Sequence, residues 1–272
     1  MANIRFLPGW TLACCLLPAA MLLAWLLLAR LDFLYPLWYQ ELGIEQHIAF
    51  YAPQNRHGKA DFGQSPPAEH HRLFGQMVLA IHGKEKLAAI VYKDSQGKPL
   101  GYFLQPDEVG HLEDVAGLVK ILLRAGWFFL TVVVALALLM WRHRLPLPPP
   151  RRIALAAAGL LVLGGLTFLL GGPEQVFDLL HERIFPPHYP WFFFYQDSLM
   201  TTILKAPQIF AAIAIAWTLC SLLGYALIYA CLNYLLPGGK GTDGRDIILE
   251  GEHGAGNPQS TALSGSERGR TK

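Results

Sequence analysis

The sequence predicts an all-α membrane protein with four transmembrane helices, two outward-facing and partly helical segments, and a disordered cytoplasmic tail. Three observations predict it. Hydrophobic residues make up 53% of the chain and charged residues only 15%, a balance too apolar for an ordinary soluble domain. Four stretches come close to or exceed the roughly 20 apolar residues that carry a helix across a hydrocarbon core. Between them stand segments with too many polar groups to span.

The spans are expected at 11–29, 122–141, 153–170 and 209–236, within a membrane domain of residues 1–236. The first is read as an uncleaved anchor. Its apolar run exceeds the roughly 7–15 residues of a signal-peptide core, and no small-residue cleavage site follows it. The last is long enough to tilt or to emerge at one end.

Orientation follows from short-loop arginines. The connection "RHRLPLPPPRR" at 142–152 carries Arg142, Arg144, Arg151 and Arg152 and no acid, which makes that end cytoplasmic. Both termini share this side, and segments 30–121 and 171–208 face outward. A multi-pass integral membrane location, with both termini cytoplasmic, is expected. The tail 237–272 is Gly- and Ser-rich and balanced in charge, the composition of a segment that buries no core.

Cys14, Cys15, Cys220 and Cys231 all fall within spans, so no disulfide framework or Cys-based metal site is expected, and helix packing is their reading. A formal net charge of +2 carries no nucleic-acid signature.

In the first outward segment, "LDFLYPLWYQELGIEQHIAFYA" (31–52) has helix-like apolar spacing and reads as an amphipathic helix lying in the membrane interface. Residues 53–71 read as a polar loop punctuated by Gly and Pro. A helical stretch, a turn at "DSQGKP" and a new helix beginning near Asp107 follow. Pro106 before Asp107, with acids in the first turn, marks that start, and Asp107 is the expected N-cap. The helix then runs on into the second span.

Glu108, His111 and Asp114 recur every third residue along it, and Asp178 and His181 stand three apart in the second outward segment. A carboxylate near an imidazole fixes its tautomer and raises its basicity, as a general base requires. The same pattern also suits a solvated helix end whose acids act only as caps. His47, His57, His70, His71 and His82 are scattered, with no H-x-x-x-H pair or matched cysteine, so no metal is expected. No histidine lies mid-span, which argues against haem between helices, and no other cofactor is implied.

The aromatic run "WFFFY" (191–195) has an ordinary explanation in the aromatic belts of membrane interfaces. Beside a His-acid cluster it also reads as a lipid-facing wall for acyl chains, formed by Trp191, Phe192, Phe193 and Tyr195. Asp197 and Ser198 close the segment without a G-x-S-x-G elbow, and capping of the following short helix is their expected role.

Two motifs together carry a family resemblance. "FLQPDEVGHLEDVAGLVK" (103–120) and "FDLLHERIFPPHYPWFFFYQDSLMTTILKAPQIF" (177–210) resemble the paired signatures of the Lit-type lipoprotein intramolecular transacylases, four-span bacterial membrane proteins. The order of anchor, long outward segment, hairpin, short outward segment and last span is similar too. Ala116 departs from the pattern, which has Lys there, and Ile184-Phe185 replaces a Phe pair.

The resemblance implies transfer of the sn-2 acyl chain of an S-diacylglyceryl cysteine to its own α-amino group, giving a lyso-form lipoprotein. A diacylated lipoprotein is the implied substrate, in contact with membrane lipid and with no metal or nucleic acid. His111 and His181 are the implied proton-transfer pair. Glu108, Asp114 and Asp178 are the supporting acids, with Asp197 in a structural role. The alternative is a non-catalytic membrane protein that assists lipoprotein handling or membrane-protein assembly.

Overall fold

The computed structural model describes residues 7–185, 190 and 192–236. Its four long helices are α1 (Leu7–Arg30), α5 (Pro106–His143), α6 (Pro150–Gly171) and α9 (Gln208–Leu235), each long and apolar enough to cross a membrane. Between α1 and α5 come α2 (Tyr35–Glu41), α3 (Ile44–Tyr51), α4 (Pro67–Ile81) and a two-stranded antiparallel hairpin of β1 (Val91–Lys93) and β2 (Pro99–Tyr102). Between α6 and α9 come α7 (Pro173–Ile184) and α8 (Leu199–Leu204). The expected disordered tail lies outside the described residues.

Helix α1 is the centre of the bundle. Leu12, Leu16, Ala19 and Ala20 on it are buried, and it packs against both α5 and α9. Its approach to α5 depends on Gly126, where an added Cβ would stand 2.8 Å from Cβ of Leu22. Small residues of this kind let membrane helices close on one another. Two hydrogen bonds tie α9 to α1: Trp217 Nε1 donates to Met21 O at 2.9 Å, and the Tyr225 hydroxyl to Ala13 O at 3.2 Å. Helix α6 differs, for none of its described residues is buried. Cys14 and Cys231 are exposed on their helices, so packing does not account for them.

Helix α5 is 38 residues long. At 1.5 Å per residue it extends about 57 Å, against roughly 30 Å of hydrocarbon. Its apolar half, 122–141, is the spanning part, and the turns before it project beyond.

There the segments between α1 and α5 and between α6 and α9 form one core. Phe33, Tyr35, Ile44, Ile48, Phe62 and Phe103 from the first segment pack with Leu199 and Ile203 from the second. This corrects the expectation for 31–52. Instead of one interfacial helix, the stretch breaks into a 3-10 turn, α2 and α3, because Asp32, Phe33 and Leu34 all take positive φ and Gly43 turns at φ +60°. Phe33, Tyr35 and Tyr39 are buried in protein, while Phe50 stays exposed. The polar loop expected at 53–71 is also shorter: α4 begins at Pro67, and Phe62 is fully buried.

The hairpin was not expected. It is held to α4 by buried Glu69, which accepts from Lys93 N at 2.8 Å while pairing with Arg72, and Arg72 Nη2 donates to Val91 O at 2.7 Å.

Candidate functional site

The first turn of α5 sets the position of His111. Its N-cap is Gln105, two residues before the expected Asp107, with Pro106 at the first helical position. Proline suits that position because its missing N–H would have no helical partner there. Glu108 closes a capping box by accepting Gln105 N at 2.5 Å on Oε2. So Glu108 is a fully buried cap, and no hydrogen bond joins it to His111. Its Oε1 is buried without a partner in hydrogen-bonding geometry. Burial pushes the carboxyl pKa up, while Gln105 N–H, the Ser198 hydroxyl and the Lys59 ammonium favour the ionised form.

One turn on, His111 is buried to 8% exposure. Helix α7 brings His181 to it. Gly172 turns the chain at φ +72°, Pro173 opens the helix, and His181 lies near its far end, half-buried. The two imidazoles stand 6.3 Å apart between centroids, with an interplanar angle of 32°. Phe185, one turn beyond His181, lies 5.1 Å from the His111 ring and 5.3 Å from the His181 ring. Phe193 closes another side at 6.4 Å from His111.

The result is a pair of imidazoles from two chain segments, walled by phenyl rings. Burial lowers the His111 pKa below its usual value, and the neighbouring His181 adds to this, while Asp114 opposes both. A neutral ring beside a second imidazole is an arrangement able to accept one proton and return it.

The other predicted residues divide. Asp114 is half-buried one turn from His111 and acts on it through space. Asp178 is exposed. Phe192 is exposed and meets Phe194 edge to face at 5.2 Å. Tyr195 packs against His47 at 4.4 Å and Tyr51 at 4.7 Å, with its hydroxyl donating to Ala206 O. Trp191 lies outside the described residues.

Asp197 pairs with Arg56 at 3.3 Å, and Arg56 N–H donates to Gln196 O at 2.9 Å, so the polar loop straps the aromatic segment. Ser198 is the cap that its sequence context predicts, its Oγ accepting Thr201 N at 2.9 Å. Phe185 was not selected from the sequence. Its position four residues after His181, on the same helix face, is the signal that points to it.

His70 and His82 have hydrogen-bonded structural partners. Ser65 Oγ donates to Phe62 O at 2.6 Å, so its contact with His70 Nε2 at 2.8 Å must be an N–H donated to the serine. His70 Nδ1 then accepts from the Tyr39 hydroxyl at 2.8 Å. A serine whose proton is committed elsewhere is not activated by this histidine. His82 sits between Trp25 Nε1 at 2.9 Å and Val78 O at 2.7 Å. Among the described residues, no three His, Cys, Asp or Glu side chains gather as a metal site would require.

No protein-family model and no curated protein matches the sequence. Two solved structures share the fold. The membrane integral lipoprotein intramolecular transacylase Lit from Bacillus cereus aligns at a TM-score of 0.60 and 15% identity, over 86% of this chain and 97% of that one. A variant of the same protein with one His-to-Arg mutation aligns at a TM-score of 0.57 and 14% identity, over 86% and 92%. At such identity the likeness is one of fold.

Proposed function

We propose that this protein is a bacterial multi-pass membrane acyltransferase. It moves the sn-2 acyl chain of a lipoprotein's S-diacylglyceryl cysteine to that cysteine's α-amino group, leaving the lyso form. The observation that carries this reading is the pairing of His111 with His181 at 6.3 Å in an aromatic-walled setting. The shared fold with a transacylase adds support.

The reaction asks for little beyond proton management and placement. The neutral α-amine attacks the sn-2 ester carbonyl, forming the C–N bond. The C–O bond to glycerol then breaks, and the glyceryl oxygen takes up a proton. His111, kept neutral by burial, takes the proton that the attacking nitrogen loses. Passed on through His181, the same proton reaches the departing oxygen, and the pair is left as it began.

Donor and acceptor belong to one molecule, so no acyl carrier or nucleotide enters. Intramolecular placement is worth effective molarities of about 10⁵ M or more. The phenyl rings of Phe185 and Phe193 suit the acyl chain of such an amphiphile, with the ester and amine at the polar edge. On this reading the histidine site faces outward, opposite the arginine-rich connection.

Mass spectrometry of the N-terminal peptide of a diacylated lipoprotein, co-expressed with this protein, tests the reading. Appearance of the N-acyl, S-monoacylglyceryl peptide is the expected result, lost in His111→Ala and His181→Ala while both variants remain folded in the membrane. Unchanged acyl positions with well-folded protein overturn it.

A further inference from the structure

At the end of the bundle away from the histidines, the chain carries a concentration of positive charge that acyl transfer does not use. Arg142, His143 and Arg144 finish or follow α5, and Arg151 and Arg152 open α6, all of them exposed. The described residues around them, 7–16, 136–156 and 225–236, include no Asp or Glu. Retention of loops by the positive-inside rule accounts for the sign of this charge. It does not account for how firmly the charge is held.

The connection is built as a rigid corner. Leu147 is buried in a core with Leu12, Leu16, Met140, Tyr229 and Leu236. The Tyr229 hydroxyl donates to Pro148 O. Gly9 admits the loop so closely that an added Cβ would stand 2.6 Å from Pro146 O. Arg144 itself sits at φ +51°, a left-handed backbone that glycine or asparagine adopts more cheaply. The corner thus presents a guanidinium at a position whose backbone favours another residue. Beside it, His143, Arg144, Leu145 and Pro146 line an open cleft of about 550 Å³.

Apolar surface adjoins these cations. Leu138 at 60% and Trp141 at 61% are exposed along the end of α5, and Leu155 at 66% along the start of α6. Bilayer chains have access to both helices here, since α6 buries none of its described side chains. A phosphate-sized anion with two hydrocarbon chains complements both halves of this surface.

We propose that the α5–α6 corner is a binding site for an anionic diacyl phospholipid. The headgroup phosphate lies among Arg142, Arg144, Arg151 and Arg152, and the acyl chains follow the exposed faces of α5 and α6. Basic pockets between membrane helices take such headgroups, and a guanidinium suits a phosphate oxygen pair. The site is independent of the acyl transfer assigned to the other end.

The test uses the full chain in detergent, with phosphatidylglycerol and phosphatidylcholine of matched chains added separately, read by native mass spectrometry and by the thermal midpoint. Selective retention of phosphatidylglycerol, with a raised midpoint, is the expected result. Arg144→Gly should weaken retention roughly fivefold, and adding Arg151→Gln should weaken it roughly fivefold more. Because glycine relieves the left-handed backbone, the lipid-free midpoint of Arg144→Gly should not fall.

Equal retention of the two lipids overturns the proposal, as does undiminished phosphatidylglycerol binding by the double variant. Soluble glycerophosphoglycerol stabilising the protein as much as the lipid would also overturn it, because the site would then take a free phosphodiester.

Discussion

His111 and His181, separated in sequence by two membrane spans, face each other at 6.3 Å between ring centroids with Phe185 against both. Two imidazolium charges at that spacing, in a site partly shielded from water, repel each other. Beyond the N–H of each neutral ring, a pair of this kind takes up a second added proton less readily than a first. The proposed chemistry needs that property.

The pH dependence follows. A histidine whose folded pKa lies below its unfolded value binds fewer protons when folded. Stability therefore rises with pH across the window from the lowered pKa up to about 6.5, and falls on acidification through it. His111 has such a lowered pKa through burial and His181, partly offset by Asp114. Conversion of lipoprotein should accordingly fall below about pH 6.5 as His111 becomes protonated. Asp114→Asn removes the opposing charge, so the acid limb should move to lower pH. A pH–rate profile of both proteins checks this, and an unmoved limb assigns it to another group.

Glu108 should separate capping from charge. Its carboxyl pKa is raised chiefly by burial, so the folded state binds the extra proton. Folding free energy from this group is then most favourable at low pH and is lost as pH rises above the unfolded value. Glu108→Gln keeps an oxygen for Gln105 N–H without the charge, and should match or exceed the wild-type midpoint at pH 7. Glu108→Ala leaves that amide without its partner and should cost about 1–2 kcal/mol. Thermal melts in detergent at pH 5 and pH 7 distinguish the two. A Gln variant less stable than Ala would contradict the account.

The sequence displayed some of this architecture and concealed the rest for identifiable reasons. Long apolar runs are read without knowledge of neighbours, which is why four membrane-length helices coincide with the four expected stretches. The histidine pair was legible as two motifs, although its proximity depends on Gly172 and on how α7 packs. The break at Asp32–Leu34 was not legible, because three consecutive non-glycine residues at positive φ contradict their own propensity. Tertiary burial of Phe33, Tyr35 and Tyr39 offsets that cost. Glu108 was read as a partner of His111 from its spacing, yet the unpaired amides at a helix start claimed it first.

The α1–α5 contact supplies a packing prediction. At Gly126 an added Cβ would stand 2.8 Å from Leu22 Cβ and 3.1 Å from its Cδ1. Leu22 can yield somewhat at its flexible end but not at Cβ. Gly126→Ala should therefore lower stability by about 1–3 kcal/mol, while Gly126→Ala combined with Leu22→Ala should recover part of the loss. Thermal melts of the two single variants and the double variant check this. Additive losses would show that the two residues do not touch.

The buried Tyr39–His70–Ser65 chain makes the last prediction. His70 is 3% exposed, and burial, aided by His71, lowers its pKa to about 4, so the ring is neutral at pH 7. With Ser65 donating to Phe62 O, His70 must carry its proton on Nε2 and accept at Nδ1 from Tyr39. Tyr39→Phe leaves Nδ1 buried without a donor, and should cost about 1–3 kcal/mol. Replacing both groups, as Tyr39→Phe with His70→Leu, removes the unsatisfied atom along with its partner. The double variant should then be less destabilised than the sum of the singles, and lipoprotein conversion should persist wherever the protein stays folded. Loss of conversion in folded Tyr39→Phe would instead give this histidine a part in the chemistry and break the division drawn here between the two sets of imidazoles.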